Sequence, residues 1–564
     1  MSRNYVIGLN VGHDSGVALV SDNGIVASIN EERLSRNKLH FGFPYLALNK
    51  ILNCFDISFD NVKTFAISDA SFVPSESIEK DWRKNIIEVL GLSKPLLGTE
   101  NGLIISRLLS LYSTQKYQKN IKGLLAQNGY HGNISYVDHH YAHACSAYYS
   151  QSIDNGIVIT LDASGDGYCS KVYLANNNNL TEVNRIPCYH SPAYYYLYVT
   201  KILGFTPLRH EGKITGLAAY GDPNKCIHIF RELITFDSNK LRFVNYGGYY
   251  NNYILQLKEL LSGFSSADIA AAIQAHTENL VCQYVSTILD RYGNKSSPTP
   301  LFLAGGLFAN VKLNQRIASL PNVDSVFIFP NMGDGGLNIG AALSIKKTKF
   351  PIKDVFLGEK PTQYSIDEAV KQSSNSYTVP NSIAVDIAKH LANDKVVARY
   401  FDKMEYGPRA LGHRSILYSA KDATVNEWLN KCLNRTEFMP FAPVVMDIEF
   451  DKFFITDTPI KPFEYMTITC DVTTLCKKIA PAVVHVDGTA RPQIVYPNCD
   501  MYEILSEYKK LTGHGILVNT SFNMHEEPIV NSPKEAVQAF KISNIDVLAI
   551  DKYLLFQANR KDEI

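Results

Sequence analysis

VIGLNVGHDSGVALV, residues 6–20, decides the fold of this chain once it is compared with a second stretch, IVITLDASGDGYCSK, residues 157–171. In each, a run of apolar and β-branched residues ends in Asn or Asp, and a turn rich in Gly, Ser and Asp follows. An apolar run then resumes, which makes each stretch typical of a β-hairpin. Two hairpins of the same style indicate a duplicated fold.

The turns of these hairpins favour contact with phosphate. Glycine lets backbone N–H groups approach an anion closely, and Ser and Asp side chains bind a phosphate or its metal. Asp162 and Gly165 of the second turn are therefore candidates for nucleotide binding. A pair of such hairpins facing one cleft resembles the way actin-like ATPases and sugar kinases hold the phosphates of ATP.

Two further strand-and-glycine segments complete this part of the chain. LFLAGGLFAN, residues 301–310, predicts nucleotide contacts from Gly305 and Gly306 through the backbone and from Asn310 through its amide. SVFIFPNMGDGG, residues 325–336, is a second strand that ends in a glycine loop, and a helix is expected after it.

The expected organisation is two α/β domains. The 564 residues exceed what one hydrophobic core usually serves. We assign 1–350 to a duplicated actin-like domain, 351–380 to a linker with one helix, and 381–564 to a second domain in which short strands alternate with helices.

Composition excludes several classes of protein. Hydrophobic residues make up 46% of the chain and charged residues 20%, and no stretch approaches the roughly 20 apolar residues of a membrane span. Lys+Arg and Asp+Glu balance at 55 each, which disfavours nucleic acid as a partner. We expect a cytoplasmic protein whose oligomeric state the sequence leaves open, with a homodimer as one candidate.

A metal site is predicted at VDHHYAHA, residues 137–144. His139 and His143 are four residues apart, which on a helix places both imidazoles on one face. An isolated pair of this kind is more often part of a core, but Asp334 on a glycine-flanked loop offers a third ligand. Two imidazoles and one carboxylate leave positions open for substrate, which favours a catalytic divalent ion over a structural zinc.

Three other residues are candidates for acid–base chemistry. His13 lies in the first hairpin turn, where it is either a general base or an ordinary turn histidine. Glu211 and Asp222 lie among glycines around HEGKITG, residues 210–216, and either carboxylate is a candidate to act on an acceptor hydroxyl.

The second domain concentrates arginines in short loops, which predicts an anion pocket. These arginines are Arg409, Arg414, Arg435 and Arg491. The segment NTSFN, residues 519–523, follows an apolar strand and contributes polar groups to the same predicted pocket.

Taken together, the motifs resemble the O-carbamoyltransferase family that includes nodulation-factor, tobramycin and cephem carbamoyltransferases. The resemblance spans nearly the whole chain and is carried, in order, by GLNVGHDSGVAL, DHHYAHACSA, LDASGDG, HEGKITGLAAYGDP, FLAGGLFAN, MGDGG, GPRALGHRSIL, NRTEFMPFAPV, DGTARPQ and NTSFNMHEEPIV.

This resemblance implies an actin-like N-terminal domain and a YrdC-like C-terminal domain. It implies that the second makes carbamoyl-adenylate from carbamoyl phosphate and ATP, used with Mg²⁺, and that the first transfers the carbamoyl group to a hydroxyl. By motif position it implies Fe²⁺ or another divalent ion on His139, His143 and Asp334, and the acceptor-site histidine at His13.

The implied carbamoyl-phosphate contacts are Arg409 or Arg414, Arg435 and Arg491, and Asn519, Ser521 and His525 are assigned to the same predicted pocket. Some relatives carry a basic residue in place of Met439 and an Arg-Gly pair in place of His525 and Glu526, so the pocket does not transfer in full from those members.

The expected acceptor is a small-molecule natural product or a sugar, which places the reaction in secondary metabolism. A tRNA acceptor is disfavoured by the balanced charge. Two alternatives remain at this point: an actin-like small-molecule kinase or ATPase, and a nucleotide-binding regulator without turnover.

Overall fold

The computed structural model describes residues 4–68, 100–248, 251–432, 441–458, 461–524 and 526–557. The chain divides into two compact units. One comprises Met1–Glu31 and Leu39–Lys353, and the other comprises Glu32–Lys38 and Asp354–Ile564.

The first sheet of the first unit contains the hairpin found in the sequence. Its strands are β1 (Tyr5–Asn10), β2 (Gly16–Ser21), β3 (Gly24–Asn30), β4 (Val62–Ser68) and β5 (Asn133–Val137), in the order β3-β2-β1-β4-β5. β1 pairs antiparallel with β2 and parallel with β4.

The second sheet of this unit repeats that topology. The strands that follow are β6 (Gly156–Gly165), β7 (Tyr168–Asn176), β8 (Asn179–Pro187), a separate pair β9 (Ile234–Asp237) and β10 (Arg242–Asn245), β11 (Thr299–Ala304) and β12 (Val323–Ile328). The sheet order is β12-β11-β6-β7-β8, so β6 has an antiparallel neighbour in β7 and a parallel one in β11, as β1 has in β2 and β4. The predicted duplicated, actin-like arrangement is confirmed.

The helices up to residue 346 are α1 (Glu32–Ser35), α2 (Tyr45–Cys54), α3 (Glu100–Gln127), α4 (His139–Tyr149), α5 (Pro192–Ile202), α6 (Glu211–Ala218), α7 (Ile227–Leu233), α8 (Asn251–Leu260), α9 (Ser266–Tyr292), α10 (Val311–Ala318) and α11 (Leu337–Lys346). Among the described residues, no helix is both long enough and apolar enough to cross a membrane.

α11 packs with unusually close backbone contact against β1 and α4. A Cβ atom placed on Gly8 of β1 would lie 1.9 Å from the Asn338 carbonyl oxygen, and one on Gly340 would lie 1.9 Å from the Ala142 carbonyl oxygen. Because no side chain fits at either contact, the backbones themselves meet. This contact fixes α4, which carries the two predicted metal histidines, relative to the loop that precedes α11.

The second unit is an α/β domain built on an eight-stranded mixed sheet. Its sheet strands are β13 (Ser376–Thr378), β14 (Val397–Tyr400), β15 (Arg414–Ser419), β16 (Ala442–Met446), β20 (Gln493–Val495), β21 (Ile516–Ser521), β22 (Val547–Ile550) and β23 (Tyr553–Phe556), and a small separate sheet contains β17 (Phe454–Ile455), β18 (Cys470–Val472) and β19 (Thr489–Ala490). The order in the large sheet is β13-β23-β22-β14-β15-β21-β16-β20.

Its helices are α12 (Gln363–Gln372), α13 (Ile383–Ala392), α14 (Val425–Cys432), α15 (Phe450–Phe453), α16 (Thr474–Ile479), α17 (Asp500–Thr512) and α18 (Pro533–Ile542). The segment 354–380, expected as part of a linker, lies within this unit, and its strand β13 pairs with β23. The heptapeptide Glu32–Lys38, expected in the first domain, also belongs to this unit.

We predict that Gly340→Ala destabilises the first unit. The added methyl overlaps the Ala142 carbonyl, so α11 must move away from α4, and overpacking of this kind costs about 1–3 kcal/mol or more. Urea denaturation measures the change. Gly212→Ala on α6 is the matched control, because an added Cβ there meets nothing within 4 Å and helix propensity favours alanine by about 1 kcal/mol. Equal stability of the two variants would contradict the close packing.

Candidate metal centre

The two predicted histidine ligands lie side by side at the start of α4. Asp138 caps this helix by accepting a hydrogen bond from the backbone N–H of Tyr141 at 2.9 Å. The ring centroids of His139 and His143 are 4.8 Å apart, and both side chains are buried. The helical spacing therefore does place the two imidazoles on one face.

Two carboxylates complete the cluster. Asp334 Oδ1 lies 3.7 Å from His139 Nε2 and 3.5 Å from His143 Nε2. Asp162 Oδ2 lies 3.9 Å and 3.5 Å from the same two nitrogens. The four ligand atoms are all within 4.8 Å of one another, so Asp162 joins the three residues that the sequence predicted.

The cluster fits a divalent cation. Ligand atoms bound at about 2.1 Å to one tetrahedral ion lie roughly 3.4 Å apart, close to the separations here. Neither ring nitrogen of buried His143 has a hydrogen-bond partner among the described residues. Two carboxylates this close repel each other, and a shared cation relieves that repulsion. Imidazole and carboxylate ligands together suit Fe²⁺, Mn²⁺ or Zn²⁺.

His13 lies against this cluster. Its Nε2 is 2.9 Å from Asp334 Oδ2, and its side chain is 35% exposed, so it is reachable from solvent while fixed to the cluster. Desolvation lowers the pKa of His13, but the carboxylates of Asp334 and Asp14 outweigh it and raise the pKa well above its ordinary value. The predicted hairpin histidine therefore lies next to a predicted metal ligand.

Buried amides tie the first hairpin to the loop of Asp334. Asn10 Nδ2 donates to the carbonyl oxygens of His13 at 2.9 Å and of Asp334 at 3.0 Å. Asn30 Nδ2 donates to the carbonyl oxygens of Asp14 at 3.2 Å and Gly335 at 3.1 Å. We infer that both amides hold His13 and Asp334 in register, a role that nothing in the motif spacing indicated.

The residues predicted to bind nucleotide lie around the metal cluster. Asp162, predicted to contact nucleotide, is a candidate ligand whose oxygens accept from the backbone N–H groups of Ala163 and Gly306, each at 2.8 Å. A Cβ on Gly165 would overlap the His139 ring, and the N–H of Gly305 donates to the Met332 carbonyl at 2.7 Å. The observed contacts of these glycines thus support the cluster.

Asn310 departs from the prediction. Its side chain caps α10 by accepting from the Leu313 N–H at 3.1 Å, and its amide exchanges hydrogen bonds with Gln274 at 2.9 and 3.1 Å. The amide is buried and already engaged, so it cannot reach an adenine or ribose edge without breaking these bonds.

The two carboxylates predicted to act on the acceptor have local structural partners. Exposed Asp222 accepts from the backbone N–H and the side chain of Asn224, at 3.0 and 3.1 Å. Glu211 Oε1 accepts from the Leu208 N–H at 2.7 Å, and burial raises the pKa of Glu211. Among the described residues, neither belongs to the metal cluster, so the structure offers no support for a catalytic role.

In the second unit, a buried glutamate shapes the arginine-containing loop 407–414. Glu405 Oε1 accepts from the backbone N–H groups of Leu411, His413 and Arg414, at 3.0, 2.7 and 3.0 Å. A carboxylate that gathers three N–H groups folds the loop around itself. The sequence predicted a role for the arginines of this loop but gave no indication of the role of Glu405.

Arg414, predicted as a ligand arginine, makes its observed hydrogen bonds within the protein. It is fully buried, and its guanidinium donates to the backbone carbonyls of Phe401, Asp402 and His413 while lying 3.7 Å from the Tyr400 ring centroid. The protein itself engages both terminal nitrogens, whereas Nε has no hydrogen-bond partner among the described residues. Arg414 therefore holds the loop together through its terminal N–H groups.

Asn519 joins two of the predicted anion loops. Its Nδ2 donates to the Ala410 carbonyl at 3.3 Å and to Gln493 Oε1 at 2.7 Å, and Gln493 in turn donates to the Leu411 carbonyl at 2.8 Å. These bonds bring together the segments that carry Arg409 and Arg491.

Ser521 lies two residues further along β21, at the same side of the strand as Asn519. Asn519 is buried, and its Nδ2 makes the hydrogen bonds described above. Arg409, Arg491 and Ser521 are partly exposed. Arg435, Met439 and His525 lie outside the described residues.

We predict that His143→Ala and Asp162→Asn each weaken divalent-metal binding by at least about tenfold, because each removes a ligand atom from a buried set. Titration of the chelated protein with Fe²⁺, Mn²⁺ and Zn²⁺, read by elemental analysis after desalting, measures this. His228→Ala on the exposed side of α7 is the control. Wild-type metal retention by Asp162→Asn would remove this carboxylate from the ligand set.

Asp500 gives a pH-dependent prediction for the second unit. Burial opposes its ionisation, but Arg399 and His413 outweigh burial and hold the pKa of Asp500 well below its ordinary value. A depressed carboxyl pKa stabilises the fold above the unfolded pKa, about 4, and that contribution is lost as the pH falls below it. Asp500→Asn should therefore lower the urea midpoint at pH 7. The difference from wild type should stay nearly full down to about pH 4 and shrink as the pH falls below that value. A difference that stays constant below about pH 4 would contradict the ion pair.

Comparison with known proteins agrees with this two-part organisation. The chain matches the family described as carbamoyltransferase N-terminus over residues 5–343 and that described as carbamoyltransferase C-terminus over residues 388–557. An uncharacterized protein of Methanocaldococcus jannaschii is 30% identical, over 98% of this chain and 99% of its own length.

Nodulation protein NolNO of Sinorhizobium fredii is 27% identical, over 96% of this chain and 79% of its own length. The solved structure of full-length HypF in its phosphate- and nucleotide-bound form is 14% identical, covers 61% of this chain and 46% of its own, and has a TM-score of 0.32. The two sequence-family matches together span most of the chain. The protein therefore belongs to the carbamoyltransferase family and is a transferase.

Proposed function

We propose that this carbamoyltransferase is ATP-dependent and acts on a hydroxyl group of a small-molecule natural product or a sugar. The observation that carries the proposal is the cluster of His139, His143, Asp162 and Asp334 with His13 at 2.9 Å from Asp334, in a chain that matches the family over both of its parts. A divalent metal, with Fe²⁺ as the first candidate, and Mg²⁺-bound ATP are the proposed cofactors.

The proposed reaction has two halves. In the second unit, expected to be YrdC-like, water releases phosphate from carbamoyl phosphate, and a carbamate oxygen displaces pyrophosphate from the α-phosphorus of ATP. The product is carbamoyl-adenylate. In the first unit, the acceptor oxygen then attacks the carbamoyl carbon, AMP leaves, and the hydroxyl proton passes to a base.

His13 is the proposed base. Because its Nε2 faces the Asp334 carboxylate, Nε2 carries the hydrogen that Asp334 accepts, and Nδ1 keeps the lone pair. Nδ1 lies 3.8 Å from Asp14 Oδ2, so the positive charge that His13 gains when it accepts the hydroxyl proton is stabilised by this carboxylate. A divalent cation bound by the four residues would polarise the carbamoyl group and share the charge of Asp334, which favours the neutral imidazole.

The other residues of the cluster keep these groups oriented. Asn10 donates to the carbonyls of His13 and Asp334, and Asn30 donates to those of the adjacent residues Asp14 and Gly335. The N–H groups of Ala163 and Gly306 fix the Asp162 carboxylate. Preorganised partners of this kind spare the site from reorganising during the reaction.

In the second unit, the partly exposed cations Arg409 and Arg491 and the hydroxyl of Ser521 are the proposed contacts of carbamoyl phosphate. A guanidinium fork matches the oxygens of a phosphate, and the Asn519 and Gln493 amides hold the loops that carry these residues together.

We predict that His143→Ala abolishes carbamoyl transfer but leaves carbamoyl-phosphate-dependent exchange of pyrophosphate into ATP within about twofold of wild type, because exchange depends on the second unit. Radiolabelled carbamoyl phosphate, ATP and a panel of hydroxylated natural products and sugars measure transfer, and labelled pyrophosphate measures exchange. Loss of both activities would contradict this division of labour.

His228→Ala is the control and should retain both activities. The nucleotide product separates the alternatives. AMP formed in the presence of carbamoyl phosphate and acceptor supports the proposal, ADP as the sole product would support a kinase, and no turnover with any acceptor would support a regulator.

A further inference from the structure

A short segment from the N-terminal part of the chain is built into the second unit. Glu32–Lys38, which includes α1, follows β3 directly and belongs by its contacts to the unit formed by Asp354–Ile564. Two arginines of this segment, Arg33 and Arg36, make its polar contacts with backbone carbonyls of that unit.

Arg33 holds the start of loop 407–414. Its side chain is buried, and its guanidinium donates to the Gly407 carbonyl at 2.7 Å. Gly407 has φ +116°, a conformation that favours glycine and turns this carbonyl toward the arginine. Arg409, a proposed contact of carbamoyl phosphate, follows two residues later.

Arg36 holds a second loop with both arms of its guanidinium. It donates to the Pro528 carbonyl at 2.7 Å and to the Ile529 carbonyl at 2.8 Å, and it lies 3.3 Å from a Glu535 carboxylate oxygen. This second loop follows β21, the strand that carries Asn519 and Ser521. The backbone N–H of Val530, the residue after Ile529, donates to the Phe522 carbonyl at 3.0 Å, so the loop returns to the end of β21.

The two loops contact each other. Ile529, whose carbonyl Arg36 holds, packs in a buried apolar cluster with Met404 and Ala410, and Ala410 is the neighbour of Arg409. A shift at either arginine is therefore transmitted to both loops.

We propose that Arg33 and Arg36 are positioning residues for the carbamoyl-phosphate site of the second unit. This inference rests on the proposed function, because it takes the loops of Arg409 and Ser521 as that site. A guanidinium bridges two neighbouring carbonyls through charge-assisted hydrogen bonds, whereas the ammonium group of lysine is a single point donor. Arg36→Lys should therefore preserve the positive charge but not the simultaneous hydrogen bonds to the Pro528 and Ile529 carbonyls.

The test measures pyrophosphate exchange in the full-length protein with carbamoyl phosphate and ATP varied separately. We expect Arg36→Ala to raise the KM for carbamoyl phosphate about tenfold or more, with the KM for ATP within about twofold of wild type. Arg33→Ala should act in the same direction, and Arg36→Lys should fall between wild type and Arg36→Ala.

Arg291→Ala is the matched control. Arg291 also donates to two backbone carbonyls, those of Ser238 at 3.0 Å and Asn239 at 3.2 Å, but lies in the first unit. Its removal should leave both KM values unchanged. A wild-type KM for carbamoyl phosphate in Arg36→Ala, or equal losses for both substrates, would overturn the proposal. If Arg36→Ala does not fold, the same criterion applies to Arg36→Lys.

Hydrogen exchange separates this inference from the proposed function. If the wild-type protein shows no pyrophosphate exchange, the proposed function fails, and the positioning role is then decided by amide exchange in peptides covering 407–414 and 526–531. Faster exchange of both peptides in Arg36→Ala than in Arg291→Ala sustains the role. Equal exchange in the two variants overturns it.

Discussion

The geometry of the first unit depends on one close contact, the packing of α11 against β1 and α4. Glycines at positions 8 and 340 remove the side chains from this contact, so backbone meets backbone. β1 leads to His13, α4 carries His139 and His143, and the loop before α11 carries Asp334. His13, the two histidines of α4 and Asp334 are distant in sequence. They lie close together because β1, α4 and α11 meet at contacts too close for a Cβ atom.

The close approach of the Asp162 and Asp334 carboxylates costs electrostatic free energy, which neighbouring imidazoles and backbone N–H groups offset. Two buried carboxylates within reach of each other destabilise a fold unless hydrogen bonds or cations compensate them. Asp334 is compensated by His13 and the neighbouring imidazoles, and Asp162 by two backbone N–H groups. The arrangement makes sense as a site held ready for a divalent ion, because the same oxygens that repel each other are the ligands such an ion requires.

Arginines do two different jobs in the second unit. Arg414 and Arg33 are buried and donate to backbone carbonyls, so their charge organises loops. Arg409 and Arg491 are partly exposed and are the proposed contacts of the anion. The loop 407–414 contains one arginine of each kind, Arg409 and Arg414, five residues apart, and Glu405 accepts from three backbone N–H groups of this loop.

The sequence by itself determined the duplicated α/β fold, the arginine-rich second domain, and the candidate metal ligands His139, His143 and Asp334. Each of these is encoded locally, in hairpin turns, helical spacing and glycine loops. The tertiary structure alone decided that Asp162 joins the metal cluster, that Asn310 and Arg414 are internally engaged, and that Glu32–Lys38 belongs to the second unit. Each of these outcomes depends on a contact with a residue distant in sequence, such as Asn310 with Gln274 or Arg33 with Gly407. The residue type shows how many hydrogen bonds a side chain can make, but only the tertiary structure shows which groups make them.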